Sequence, residues 1–140
     1  MAAFTKFNSF VADLANKVHN FGSDTFKVML TNTAPVATNA VKADITEIAA
    51  GAGYTAGGVA FTLVSSSQSG GTYKFVASAP NPTWTSTGAF ATFRYVVLYN
   101  STAASGNLVG SWDNGSAVTL ANTNTFTIQL DGTNGVLQLA

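Results

Sequence analysis

Apolar residues recur along this chain with two different periods, and the change between them falls at Gly22. On a 100° helical wheel, Phe4, Phe7, Phe10, Val11, Leu14, Val18 and Phe21 fall within an arc of about 120°. Lys6, Ser9, Asp13, Asn16, Lys17 and Asn20 lie outside it. Thr5 suits an N-cap, Gly22 a C-terminal stop, and Asp13 and Lys17 form an i,i+4 pair in the favourable order. The pattern predicts one amphipathic helix over residues 6–20, within an N-terminal helix or arm spanning 1–22. Its apolar stripe either covers one end of a β core or docks on a neighbouring subunit. The contact residues expected on it are Phe4, Phe7, Phe10 and Leu14.

Beyond Gly22 the period becomes two. Phe26, Val28 and Leu30 alternate with Lys27, Met29 and Thr31. The same alternation marks Val59, Phe61 and Leu63, then Tyr73, Phe75 and Ala77, then Phe126, Ile128 and Leu130. Such segments are half-buried antiparallel strands. Phe90–Tyr99 is apolar on both faces apart from Thr92 and Arg94, as a central strand would be. Shorter strands are expected at Leu108–Trp112, Ala117–Leu120 and Val136–Leu139. Turns are expected at Ser69-Gly70-Gly71, Asp113-Asn114-Gly115 and Asp131-Gly132. About eight short strands at this spacing predict an antiparallel β-sandwich or jelly-roll-like domain over 23–140, one domain with the N-terminal segment. Ala34–Gly58 breaks the pattern. Val41–Ile48 suits one or two helical turns, and Gly51–Gly58 suits a mobile surface loop with Tyr54 as its only large anchor.

Composition narrows the chemistry. Of 140 residues, 9% are charged, against about a quarter in an ordinary domain. There are six acids, six bases, one histidine and no cysteine, and the formal net charge is zero. A neutral chain of this kind is not built to track a phosphate backbone, so no nucleic acid is expected. No apolar run approaches the roughly 20 residues of a membrane span, and the N-terminus has no signal-peptide apolar region. The absence of cysteine excludes a disulfide framework.

Each motif has a plainer reading. Gly51-Ala52-Gly53-Tyr54-Thr55-Ala56 matches G-x-G-x-x-A by letter, but a helical turn precedes it and no acid lies between Glu47 and Asp113. His19 is the only candidate for a triad base, and a solvated helix end accounts for it. Asp44 with Glu47, and Asp131 with Asn134, lack a third ligand, and a β-turn explains the second pair. The sequons at Asn100 and Asn114 read as loop residues. No catalytic residue, metal or cofactor is expected. Trp84 and Trp112, set among Thr, Ser, Pro and Asn, could stack on a sugar or anchor a protein contact, or cap the ends of a sandwich.

Phe26–Val36, Ala43–Ile48, Gly53–Gly58, Phe93–Asn100 and Gly110–Asp113 together resemble segments of small structural proteins of tailed bacteriophages. The resemblance spans most of the chain after the first helix and brings no catalytic or binding residues with it. It implies a virion protein made in the bacterial host's cytoplasm. Its leading form would be a capsid decoration or cement protein bound to the major capsid protein. A homo-oligomer is expected, with a trimer implied by analogy, and Tyr54, Trp84 and Trp112 join the helix residues as contact candidates. A tail or fibre component touching host glycan is the other form. Five lysines and three prolines leave few guards for the edges of so many strands.

Overall fold

The alternating segments build three antiparallel sheets arranged as a β-sandwich-like fold with one short helix near the N-terminus. The computed structural model describes residues 3–77 and 80–140. In chain order the strands are β1 (Phe4–Lys6), β2 (Phe26–Thr31), β3 (Val59–Ala60), β4 (Leu63–Ser69), β5 (Thr72–Ala77), β6 (Thr83–Thr85), β7 (Phe93–Asn100), β8 (Leu108–Val118), β9 (Thr125–Thr127) and β10 (Leu137–Leu139). The helix, α1, spans Ser9–Ala15, and a single 3-10 turn covers Lys42–Asp44.

The largest sheet runs β1-β8-β7-β2-β3, with smaller sheets β10-β5-β4 and β6-β9. One face of β2 and β7 (Phe26, Val28, Leu30, Val96, Leu98) joins Phe75, Trp84, Leu137 and the half-buried Phe126 in the main core. The opposite face carries a second cluster. Met29, Val97, Tyr99 and Leu108 pack there with Phe7 and Ile45, residues of the segments that cover this side. The five-stranded sheet is therefore buried on both faces, which explains why its central strand β7 reads apolar throughout.

The N-terminal segment departs from the predicted helix over 6–20. Phe4–Lys6 is extended and pairs with β8, Phe4 opposite Trp112, and the two rings pack at 4.9 Å. The Phe7 N–H bonds the Val109 carbonyl and the Asn8 N–H bonds that of Ala37, so tertiary partners outbid the helix at its start. The helix stops well before Gly22. Lys17 takes φ +63°, while the Val18 N–H returns to the Asp13 carbonyl and the Lys17 N–H to Leu14. That is a Schellman ending with lysine in the left-handed position. The stripe is also divided: Phe10 enters the main core, Phe7 the second cluster, and Val11 is 55% exposed.

Three further expectations change. Asp113-Asn114-Gly115 is not a turn between two strands but a bulged stretch inside β8. Register passes from Phe93 opposite Val118 to Tyr95 opposite Asp113, so Arg94 alone faces residues 114–117. Val59–Leu63 is not one strand, because Phe61 sits buried between β3 and β4. In the third, Trp84, a candidate for a stacking or contact role, lies buried in the short strand β6. The Ser69-Gly70-Gly71 turn is present, with both glycines at positive φ, and joins β4 to β5.

Candidate functional site

Where the acids sit decides what chemistry this molecule can offer. Each of the six carboxylates accepts hydrogen bonds from its own chain. Asp13 takes Asn107 Nδ2, and Asp24 takes Asn100 Nδ2 and the Asn20 N–H. Asp44 takes the Ala40 and Val41 N–H groups. Glu47 takes Tyr54 Oη and the Gly57 N–H, with Lys42 Nζ 3.5 Å away. Asp113 holds Arg94 through two nitrogens and also the Gly115 N–H. Asp131 holds the Thr133 and Asn134 N–H groups and the Asn134 amide. These bonds keep the Asp44, Asp113 and Asp131 carboxyls below the ordinary carboxylate range, the first two-bond cap through backbone N–H groups, the second chiefly through Arg94, the third chiefly through Asn134. Among the described residues no group of three His, Cys, Asp or Glu side chains converges, and no helix is long and apolar enough to cross a membrane.

The glycine segment 51–58 lies at the surface with Gly51, Gly53, Thr55 and Ala56 exposed, and it is tied to the core at the buried Tyr54 and Gly57. Tyr54 is 3% exposed and lies among Trp84 and Phe90 in the main core. Burial raises its phenol far above the ordinary value, and the Glu47 carboxylate raises it further. Tyr99 Oη donates to the Gly57 carbonyl at 2.7 Å, and Lys42 Nζ sits 5.7 Å from the Tyr99 ring centre. Tyr54 and Trp84 are therefore interior residues, as are Phe7 and Phe10, and none is free to meet a neighbouring subunit. Leu14 is half-buried.

His19 likewise reverses its expected solvated position. Its side chain is fully buried, with Phe10, Phe21 and Phe26 rings 5.6–6.2 Å away. Asn100, the supposed loop sequon, is buried at the end of β7, and its Nδ2 lies 3.3 Å from His19 Nδ1. Burial pushes the imidazole below its ordinary pKa, and the Asp13 and Asp24 carboxylates draw it part of the way back.

Of the predicted contact residues, Trp112 and Phe4 remain together near the surface, both half-buried on the β1–β8 edge. Trp112 lines a cleft of about 460 Å³ whose walls include Val96, Phe126, Ile128, Leu130 and Val136. Gln129 and Asn114, both exposed, stand at its rim. Asp131 is the acid lining it among the described residues, and its oxygens already serve its own turn. The cleft offers an aromatic and aliphatic wall with side-chain amides beside it, and no pair of carboxylates to move a proton. Its walls come from β7, β8 and residues 126–136, so no local motif announces it. The His19–Asn100 cluster was equally hidden, since its parts lie far apart in sequence.

Neither a family model nor a curated protein nor a solved structure matches this chain.

Proposed function

We propose that this chain is a structural protein of a virus particle, most concretely a decoration protein that binds the head shell of a tailed bacteriophage in many copies and reinforces it. The observation that carries the reading is the outer edge of β4, which among the described residues no strand covers. It borders the β10-β5-β4 sheet, runs for seven residues, and its sequence LVSSSQS contains no charge and no proline. Natural proteins normally guard such an edge, and an unguarded one suits main-chain pairing with a neighbour. The acids point the same way, since all six are committed to internal structure. The sequence segments resembling phage structural proteins supply the particle. Partners on this reading are the major capsid protein and further copies of the chain, with a trimer as the expected oligomer.

The test is a copy count. Quantitative mass analysis of purified particles should find this chain in hundreds of copies, and purified protein should bind shells that lack it. Ser67→Lys, on the exposed side of β4, should weaken that binding without changing the melting temperature. A few copies per particle, or no affinity for shells, overturns the decoration reading.

The Trp112 cleft favours a second reading, a tail or fibre component that contacts host glycan. An aromatic wall beside the Asn114 and Gln129 amides is a chemistry that sugars use. A low copy number combined with glycan-array binding lost in Trp112→Ala would select it.

A further inference from the structure

The amide of Asn100 is fixed in one orientation. Its Oδ1 accepts the Thr102 N–H at 2.9 Å and the Ala103 N–H at 3.2 Å. Its Nδ2 must then face the other way, where it meets Asp24 Oδ2 at 2.6 Å, the Val18 carbonyl at 3.2 Å and His19 Nδ1 at 3.3 Å. An NH2 group donates and cannot accept. The two amide protons are shared among these three neighbours, and the amide nitrogen offers His19 Nδ1 no lone pair to donate to; the arrangement suits a lone pair on Nδ1 and the ring proton on Nε2. Nε2 is itself buried without a hydrogen-bond partner among the described residues, with Asp13 Oδ2 4.0 Å away.

A second proton has no place in this arrangement. It would sit on Nδ1, aimed at an amide nitrogen that cannot turn over without releasing two backbone N–H groups. We propose that His19 is a pH-sensitive latch: the neutral imidazole holds the N-terminal segment, residues 9–25, against the five-stranded sheet, and protonation opens it. The latch position fits that role. The same Asn100 amide ties Val18 and Asp24 to β7, and Phe10 and Phe21 of the segment pack around the imidazole with Phe26 of β2.

The other charged and titratable groups around it oppose or only partly offset this. Asp13 from α1 and Asp24 from the turn before β2 favour the imidazolium, yet Asp13 lies beyond bonding distance and Asp24 is already held by Asn100. Lys17 and Tyr73 line the depression beside the ring. Burial outweighs the two carboxylates, so the folded pKa lies below the ordinary 6.5. A depressed folded value means that the neutral form's stabilisation is complete above 6.5 and is lost as pH falls from there through the folded pKa.

The chain has one histidine, so its imidazole resonances can be followed by NMR without assignment ambiguity. Titration of the intact protein should place the His19 pKa below 6.5. Amide exchange, corrected for intrinsic rates, should show the opening of residues 9–25 rising by up to about tenfold per pH unit as pH is lowered from about 7.5 to about 5. The centre of β7 should not follow. His19→Gln should flatten the dependence. An imidazole that titrates at or above 6.5 in the wild-type protein overturns the latch, whether or not the variant folds. So does an opening of 9–25 that rises equally in His19→Gln.

Discussion

Tyr54 Oη donates to Glu47 Oε1 at 2.7 Å and at the same time accepts the Leu30 N–H at 3.1 Å. One hydroxyl thus ties the glycine segment to an edge of β2 and to the turn that precedes it. Glu47 extends the tie by accepting the Gly57 N–H and by pairing with Lys42. Four glycines in eight residues would be free by composition alone, and this cluster is what holds them.

Tyr54→Phe keeps the packing and removes the hydroxyl, leaving a buried N–H and a half-buried carboxylate short of a partner. Denaturant unfolding should show a loss of about 1–3 kcal/mol. Limited proteolysis should then cut near 51–58 in the variant and spare that segment in the wild type. Early cutting in both would mean that the hydroxyl is not the tether.

Gly58 and Gly70 separate backbone strain from collision. Both have positive φ, +69° and +60°. A Cβ on Gly58 would lie 1.9 Å from the Val28 carbonyl oxygen, whereas nothing lies within 4 Å of one on Gly70. Gly70→Ala should cost about 1 kcal/mol, and Gly58→Ala at least about 3 kcal/mol. Equal costs in thermal or urea unfolding would contradict the close approach of the glycine segment to β2.

The N-terminal stripe divides in the same measurable way. Phe10 is 3% exposed and Val11 55% exposed. Phe10→Ala should lose about 3–5 kcal/mol, while Val11→Ser should stay within about 0.5 kcal/mol of wild type. A large effect at Val11 would place a covering partner over that face.

Acid should act through the exposed carboxylates of Asp44, Asp113 and Asp131. Their folded pKa values lie below the ordinary 3.8, so their stabilisation is present above 3.8 and is lost as pH falls through the folded values. Melting temperatures should decline steeply below about pH 4. Asp131→Asn should shallow that decline, and added salt should weaken the exposed Arg94–Asp113 share of it. A decline unchanged by both would assign the acid limb to other groups.

These residues also show what the linear pattern could carry. Alternation marked β2 and β5, whose side chains run at period two, and the unbroken apolar run marked β7, whose two faces are both buried. It misread the first helix, because Phe4 and Phe7 satisfy a helical wheel equally well as strand and connector once Trp112 and Val109 are there to receive them. It misread Asp113-Asn114-Gly115, since the same Asx geometry that makes a hairpin turn also makes a wide bulge when Arg94 holds Asp113. His19 looked solvated because nothing nearby in sequence reveals Asn100. Tyr54 was singled out correctly as an anchor, but its partners were within its own chain. The Trp112 cleft had only Trp112 as a signal, its other walls being ordinary strand residues.

The strand order carries a consequence for the ribosome. Phe26 must find Asn100 and Phe4 must find Trp112 before the large sheet is complete. As the nascent chain emerges, only neighbours such as β4 and β5 can pair at once. The early apolar strand β2 can meet the two-residue β3 on one side, but its six-residue pairing on the other side waits until β7 has left the exit tunnel. Synthesis therefore imposes a waiting period, in which an apolar segment carrying the single charge of Lys27 is displayed before its long-range pairing forms.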